Sequence, residues 1–73
     1  MEYYVFVRND QGKERLVASS PSIEMAKATA RRMANTNLVE GIVGALICCQ
    51  KDGGKIREIE YWERGATEGR AVS

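Results

Sequence analysis

The chain has 73 residues, of which 44% are hydrophobic and 29% are charged, and its 11 lysines and arginines balance 10 aspartates and glutamates. This length gives one domain with a single two-layer core, and it leaves little room for an enclosed substrate pocket. The net charge of +1 lacks both the basic excess of a dedicated nucleic-acid binder and the strong acidity of a nucleic-acid mimic, so an electrostatic partner must be recognised by a local patch.

Residues 3–8 and 14–19 predict a β-hairpin near the start of the chain. The first segment reads Tyr-Tyr-Val-Phe-Val-Arg, which has the β-branched and aromatic composition that strands favour. A polar turn cluster that ends at Gly12 separates it from the second segment, so the chain can return antiparallel to itself.

An amphipathic helix is predicted from Ile23 to the region of residues 35–37. Ser20 before Pro21 suits an N-cap and a first helical position, and Ser22 is the competing N-cap. Apolar residues then recur at helical spacing, which gives one face to the core and the other to solvent. The core face carries Ile23, Ala26, Ala30, Met33 and Ala34, and the solvent face carries Glu24, Ala28, Arg31, Arg32 and Asn35, with Lys27 at the border.

Two further strands are predicted after the helix. Residues 41–50 form a short, continuous apolar run that fits a buried strand. The Asp-Gly-Gly sequence at 52–54 predicts a hairpin turn, and the charged, mixed pattern of residues 55–63 indicates a fourth strand at an edge of the sheet. Residues 65–73 have no period and are expected to be a flexible tail, which leaves residues 1–64 as the folded domain.

The predicted fold is therefore an α+β domain of order ββαββ, with one helix packed on a four-stranded antiparallel sheet. The strand order 2-1-3-4 makes every pair of neighbours antiparallel and allows a right-handed crossover through the helix. It also places the two most apolar strands in the centre. The order 1-2-3-4 is the alternative.

Both faces of the two central strands are apolar, although one helix can cover only one face. Strand one carries Tyr3, Val5 and Val7 on one side and Tyr4 and Phe6 on the other. Strand three carries Ile42, Leu46 and Cys48 on one side and Val43, Ala45, Ile47 and Cys49 on the other. An uncovered apolar face marks an interaction site, and Tyr4, Phe6, Leu46 and Cys48 are its candidate residues. A homodimer is the expected occupant; a different protein, or the tail and long basic side chains of the same chain, are the alternatives.

The composition argues against catalysis and against a bound metal or cofactor. The chain has no histidine, so Cys48 and Cys49 lack the usual activating partner and a zinc site lacks donors. Reduced, buried thiols and a cytoplasmic location are expected. No signal peptide is visible, and the longest apolar run is too short to cross a bilayer. Glu58 and Glu60 fall on one face of strand four, where a solvated edge explains them better than an acid–base pair.

A basic stripe is the second candidate binding surface. Lys27, Arg31 and Arg32 lie outward on the helix, and Lys13 and Arg15 lie in the first hairpin; all five are expected to contact a partner. Tyr4 and Phe6 resemble the stacking aromatics of sheet-based RNA binders, but strand three offers no further aromatic residue. Binding of nucleic acid is therefore the alternative to binding of a protein.

The layout resembles that of small anti-CRISPR proteins, which phages encode against type I effector complexes. The likeness lies in Ser22–Lys27 and continues through Gly41–Val43, which are similar to the helix and the Gly-led strand of one such family. It implies stoichiometric binding to a CRISPR effector subunit, with Lys27, Arg31 and Arg32 as the contacts. The cysteine pair and the more apolar third strand depart from that pattern and leave the partner open.

The sequence thus favours a non-enzymatic protein-binding module, of the kind that inhibits a host nucleoprotein complex by occupying one of its surfaces. The alternative is a small nucleic-acid-binding protein that uses the basic helix stripe. Salt separates the two, because phosphate binding weakens steeply as salt rises whereas an apolar interface does not.

Overall fold

The computed structural model describes residues 1–35 and 41–72, which form one helix packed on one face of an antiparallel sheet. Its elements are β1 (Glu2–Asn9), β2 (Glu14–Ser20), α1 (Ile23–Ala34), β3 (Ile42–Gln50), β4 (Arg57–Glu63) and β5 (Arg70–Ala71). The strand order is β2-β1-β3-β4-β5. The predicted α+β class and the order 2-1-3-4 are confirmed, but the sheet has five strands and not four.

The additional strand, β5, lies in the segment expected to be a flexible tail. Arg70 and Ala71 pair with Tyr61 and Glu60 of β4, and the Val72 N–H donates to the Ile59 carbonyl at 3.1 Å. β4 is therefore not the outermost strand, which corrects its predicted edge position. A two-residue strand has no hydropathy period, so its sequence alone does not reveal it. The mobility of residues 65–73 stays a prediction.

The start of α1 is set by Ser22, the second of the two predicted caps. Its hydroxyl accepts a hydrogen bond from the Met25 N–H at 3.4 Å, which satisfies one of the free donors of the first turn. The Ser20 hydroxyl instead accepts from the Ser22 N–H at 3.0 Å and shapes the turn that leaves β2. At the other end Asn35 caps the helix; residues 36 and 37 of the predicted terminus lie outside the described residues.

The core forms where three alanines of α1 meet the central strands. Ala26, Ala30 and Ala34 are almost completely buried, and their small side chains let the helix backbone approach the sheet closely. They pack against residues from three strands, which are Val5, Ala45, Ile47 and Trp62. The predicted inward and outward faces of the helix are confirmed.

Bulges interrupt the regular alternation of side chains along the strands, and one of them lies in β3. Between β1 and β3 the register shifts at Val43, so Ile42 pairs with Asn9 and lines a cleft with Val7 and Met33 on the helix side. Strict alternation predicts that Ile42 shares a face with Leu46 and Cys48. The bulge instead places Ile42 on the opposite face. A bulge inserts one extra residue, and that residue reverses the direction of every side chain beyond it.

The tight contact between α1 and the sheet predicts a strong asymmetry between two alanines of the helix. Ala30→Leu should lower the free energy of unfolding by about 1–3 kcal/mol, because the larger side chain has no space against the sheet. Ala28→Leu, the same change at an exposed position, should alter it by less than about 0.5 kcal/mol. Urea denaturation followed by circular dichroism measures both, and equal losses would contradict this packing.

Candidate functional site

The sheet face that points away from α1, here termed the open face, is lined by large side chains from four strands. Leu46 and Cys48 lie at its centre and are buried, although no helix covers them. They are flanked across the sheet by Tyr4 and Phe6, the register partners of Cys48 and Leu46, and by Tyr61, the partner of Leu46 on β4. The structure thus brings together the four predicted residues of this face.

The described part of the tail extends the sheet at its edge, and only the Arg70 side chain reaches the open face, where it forms an ion pair with Glu63. Gly69 lies against Glu60 and Trp62, so close that an added Cβ atom would be 2.5 Å from the indole nitrogen. Trp62 belongs to the core beneath α1, so this segment runs along the helix side of the sheet edge. The described residues therefore argue against the backbone of the tail as the occupant of the open face, whereas the long basic side chains of the third alternative do reach it, with Arg8 over Tyr61 and Arg70 beside Glu63.

Arg8 and Tyr61 meet on the open face across the intervening strand β3. The guanidinium carbon of Arg8 lies 5.0 Å from the centre of the Tyr61 ring, within the range of a cation–π contact. Arg8 also donates to the Glu14 carboxylate through Nη2 at 2.6 Å and Nε at 3.1 Å. Gly44 makes this crossing possible, because a Cβ atom there would collide with the Tyr61 ring. The row formed by Arg8, Gly44 and Tyr61 was not predicted. Its only signal in the sequence is a glycine within an otherwise apolar strand.

The rim of the open face is acidic. Glu14 and Glu63 are neutralised by ion pairs with Arg8 and Arg70. Glu58, opposite Cys48, forms no ion pair among the described residues. Glu2 lies opposite Gln50 at the end of β1, and its Oε1 atom is buried there without a hydrogen-bond partner in the described part of the chain. Glu2 and Glu58 are therefore two carboxylates at this rim without an ion pair among the described residues, although Glu58 is near enough to the Arg8 guanidinium to contribute to raising the pKa of that group.

Glu58 and Glu60 do not form a pair, which corrects the prediction that they share a face. The register of β4 shifts at Ile59, so Glu60 pairs with Ile47 on the helix side and Glu58 pairs with Cys48 on the open face. The Glu60 carboxylate accepts a hydrogen bond from the Trp62 indole N–H at 2.6 Å and lies 3.9 Å from the Lys27 ammonium. Its role is therefore structural: it holds the core tryptophan and the edge of α1 together.

Cys48 is a buried thiol with low reactivity at neutral pH. Burial, together with smaller contributions from the neighbouring Glu58 and Glu14 carboxylates, raises its pKa from the ordinary value to about 11. The protonated thiol is a poor nucleophile and a poor metal ligand. No group of three or more Cys, Asp and Glu side chains within residues 1–35 and 41–72 is arranged to hold a metal ion.

The five predicted partner-contacting basic residues do not form one continuous stripe. Lys13 and Arg15 line a cleft between β2 and the end of α1. Arg31 and Arg32 line a separate cleft, of about 440 Å³, together with Ala66 and Thr67. Lys27 lies beside the Glu60 carboxylate at the edge of the helix. A partner that uses all five must therefore contact several parts of the helix side.

Comparisons with known proteins provide no relative for this chain. No protein-family model matches it, and neither a curated protein nor a solved structure proved similar. Within the described residues, no helix combines the length and the apolar character that crossing a membrane requires. The interpretation of the open face therefore depends on its own geometry.

The contact between Arg8 and Tyr61 predicts a measurable coupling. In a double-mutant cycle of Arg8→Met and Tyr61→Leu, we expect an interaction free energy of about 0.5–1 kcal/mol from urea denaturation, because the cation loses its aromatic neighbour. A matched cycle of Arg8→Met and Tyr4→Leu should give no coupling, since Tyr4 bonds to Gln50 at the far end of β1. Equal coupling in both cycles would contradict the contact across Gly44.

The raised pKa of Cys48 predicts a loss of stability in alkali. The folded protein binds the thiol proton more tightly than the unfolded chain, so this contribution is complete below about pH 9 and is lost as the pH rises towards about 11. The free energy of unfolding should therefore fall more steeply over this range in the wild type than in Cys48→Ala. Cys49→Ala, which retains the buried thiol, should follow the wild type. Parallel profiles for wild type and Cys48→Ala would show that Cys48 is not the titrating group.

Proposed function

We propose that the protein is a non-enzymatic binding module that acts by occupying a surface of a partner protein with its open face. The observation that carries this proposal is an aromatic and aliphatic sheet face that neither α1 nor the described tail covers. Such a face normally marks an interaction site in a protein of this kind.

The exposed parts of the open face have the composition of an interface centre. Leu16, the register partner of Phe6, is 50% exposed, and Val43 is 38% exposed. Tyr4, Phe6 and Tyr61 are half-buried, so their rings retain surface that a partner can cover. Aromatic side chains and Arg8 beside them belong to the residue types that contribute most to protein–protein affinity.

The acidic rim favours a different protein over a second copy of the chain. A symmetric dimer through the open face would place two copies of the same rim against each other, so the carboxylates of Glu2 and Glu58 would repel their counterparts. A partner with an apolar centre and basic residues around it avoids this repulsion.

In its specific form, the proposal is that this partner is a protein subunit of a host nucleoprotein complex in the cytoplasm. A surface that binds nucleic acid carries the basic residues that the acidic rim requires. Occupying that surface would exclude the nucleic acid, and this mode of inhibition is also what the resemblance to phage anti-CRISPR proteins implies. The reduced, buried Cys48 thiol suits the same compartment.

A second candidate function uses the helix side of the sheet. Arg31 and Arg32 flank one cleft there and Lys13 and Arg15 another, which gives this side an excess of positive charge. Binding of nucleic acid at this side is the alternative to the open-face interface. Its affinity should fall steeply with salt, whereas the affinity of the apolar open face should change little.

Two exposed apolar residues allow a matched test of the open face. We expect Leu16→Glu to prevent formation of the complex, because it adds a charge to the proposed interface. Met25→Glu, the same change on the helix at a residue that is 61% exposed, should leave affinity within about twofold of wild type. Affinity purification from host cells identifies the partner, and titration of that purified partner against each variant then measures the dissociation constant and the stoichiometry.

The same titration separates the competing functions. Loss of binding in a variant that carries Arg31→Glu and Arg32→Glu, with Leu16→Glu unaffected, would transfer the interface to the helix side. Light scattering at several protein concentrations tests the predicted homodimer. A dimer that Leu16→Glu dissociates would show that a second copy occupies the open face, and it would overturn the proposal of a different partner.

A further inference from the structure

The two edge strands of the sheet differ in length and in the backbone groups they leave unpaired, and this difference is separate from the open face. On one side the sheet ends in β5, which is only two residues long: it pairs with Glu60 and Tyr61 of β4, and the Val72 N–H donates to the Ile59 carbonyl. On the other side, β2 pairs only with β1 among the described residues. Alternate residues of an edge strand direct their N–H and C=O groups away from the sheet.

The free edge is held in an extended conformation before any partner arrives. The side-chain oxygen of Asn9 accepts hydrogen bonds from the N–H groups of Gln11 and Lys13, both at 2.9 Å. The Asn9 N–H donates to the Lys13 carbonyl, also at 2.9 Å, and closes the turn at the point where β2 begins. The strand then continues for seven residues without a proline. Apart from the bulge at Val17, an extended peptide could pair with it without first reorganising the backbone.

A cleft opens on the helix side of this edge. It has a volume of about 170 Å³, and its apolar walls are formed by Val7, Val17, Met33 and Ile42. This is smaller than the usual site for a small molecule and close to the size of an apolar cavity that holds one benzene ring. One aliphatic or aromatic side chain therefore fits. Val17, at the bulge of β2, is 38% exposed and borders the entrance.

Positive charge flanks the same cleft. Lys13 and Arg15 line it, and neither forms an ion pair with any residue in the described ranges 1–35 and 41–72. Glu14 lies between them in sequence, but its carboxylate is bound to Arg8 on the open face. The cleft thus combines an apolar centre with uncompensated cations, and beside it runs a free row of backbone donors and acceptors.

We propose that β2 is a docking edge for an extended segment of another protein, which adds a sixth strand and inserts one apolar side chain, flanked by acidic residues, into the cleft of Val7, Val17, Met33 and Ile42. Backbone pairing supplies affinity in such strand addition, and the pocket for alternate side chains supplies selectivity. This surface is separate from the open face. Leu16 and Val17 are adjacent in sequence, but Leu16 belongs to the open face and Val17 belongs to the cleft on the helix side.

A synthetic heptapeptide tests the proposal directly. The sequence Thr-Glu-Thr-Leu-Thr-Glu-Thr places leucine between two glutamates on one side of a strand and threonine on the other, in either chain direction. Its probe controls are the peptides with lysine in place of glutamate and with serine in place of leucine, and a version N-methylated at alternate backbone nitrogens. Amide shifts of the isotope-labelled protein in heteronuclear NMR report where each peptide binds and with what dissociation constant.

We expect the acidic peptide to shift amides of β2 and of the residues around the cleft, and each control peptide to bind about tenfold more weakly or less. Val17→Glu should abolish binding of the acidic peptide, whereas Leu16→Glu should leave it within about twofold. The combined change Lys13→Glu and Arg15→Glu should transfer the preference to the lysine peptide. The same spectra show that each variant is folded.

Several results would overturn the proposal. These are the absence of shifts at millimolar peptide, shifts confined to the open face, equal binding of the N-methylated peptide, or no reversal of preference in the double variant. Concentration-dependent shifts of β2 without any peptide would show that a second copy of the chain occupies the edge, which also overturns it. Because Leu16→Glu tests the open face and Val17→Glu tests the edge, failure of one proposal does not imply failure of the other.

Discussion

The close approach of a single helix to the centre of the sheet is the constraint on which the rest of the molecule depends. α1 has 12 residues, so it is about 18 Å long, and it can cover only one side of a five-stranded sheet of similar width. Ala26, Ala30 and Ala34 allow it to lie directly on β1 and β3. Because α1 covers one face, the other face must limit its own contact with water.

The open face achieves this with its own side chains. Tyr4, Phe6 and Tyr61 surround Leu46 and Cys48, which become buried in a layer one side chain thick. The Tyr61 ring reaches across β3 only because Gly44 has no side chain, and Arg8 completes the row from the far side. The same rings that shield the central strand keep part of their surface exposed. The residues that shield the sheet on this face are therefore also the residues proposed for recognition.

The sequence predicted those parts of the fold that depend on local periodicity. The alanine spacing of α1, the apolar character of residues 42–50 and the turn at 52–54 were sufficient for the strand order of the first four strands. Asp52 and Gly53 both have positive φ, as the tight hairpin turn requires. What the sequence does not encode locally is the bulge at Ile59, which separates Glu58 from Glu60, and the two-residue strand β5.

The candidate sites show the same division. Alternation along β1 was enough to place Tyr4 and Phe6 on one face, but the contact of Arg8 with Tyr61 joins two strands that are not neighbours. Likewise, Lys13 and Arg15 were recognised as basic, yet the cleft beside them depends on Met33, which is distant in sequence and close only after folding. Pairwise geometry between distant residues arises from the tertiary packing, and a single sequence contains no direct record of it.

The difference between the two sheet edges sets a limit on assembly. A sheet with two free edges can add strands at both, and identical chains can then polymerise without end. Here β5 forms the second edge, and it is only two residues long, whereas β2 has seven residues. Two chains that met through their β2 strands would leave only the short β5 edges free. Very short edge strands of this kind protect a sheet from adding further chains and growing into a fibril.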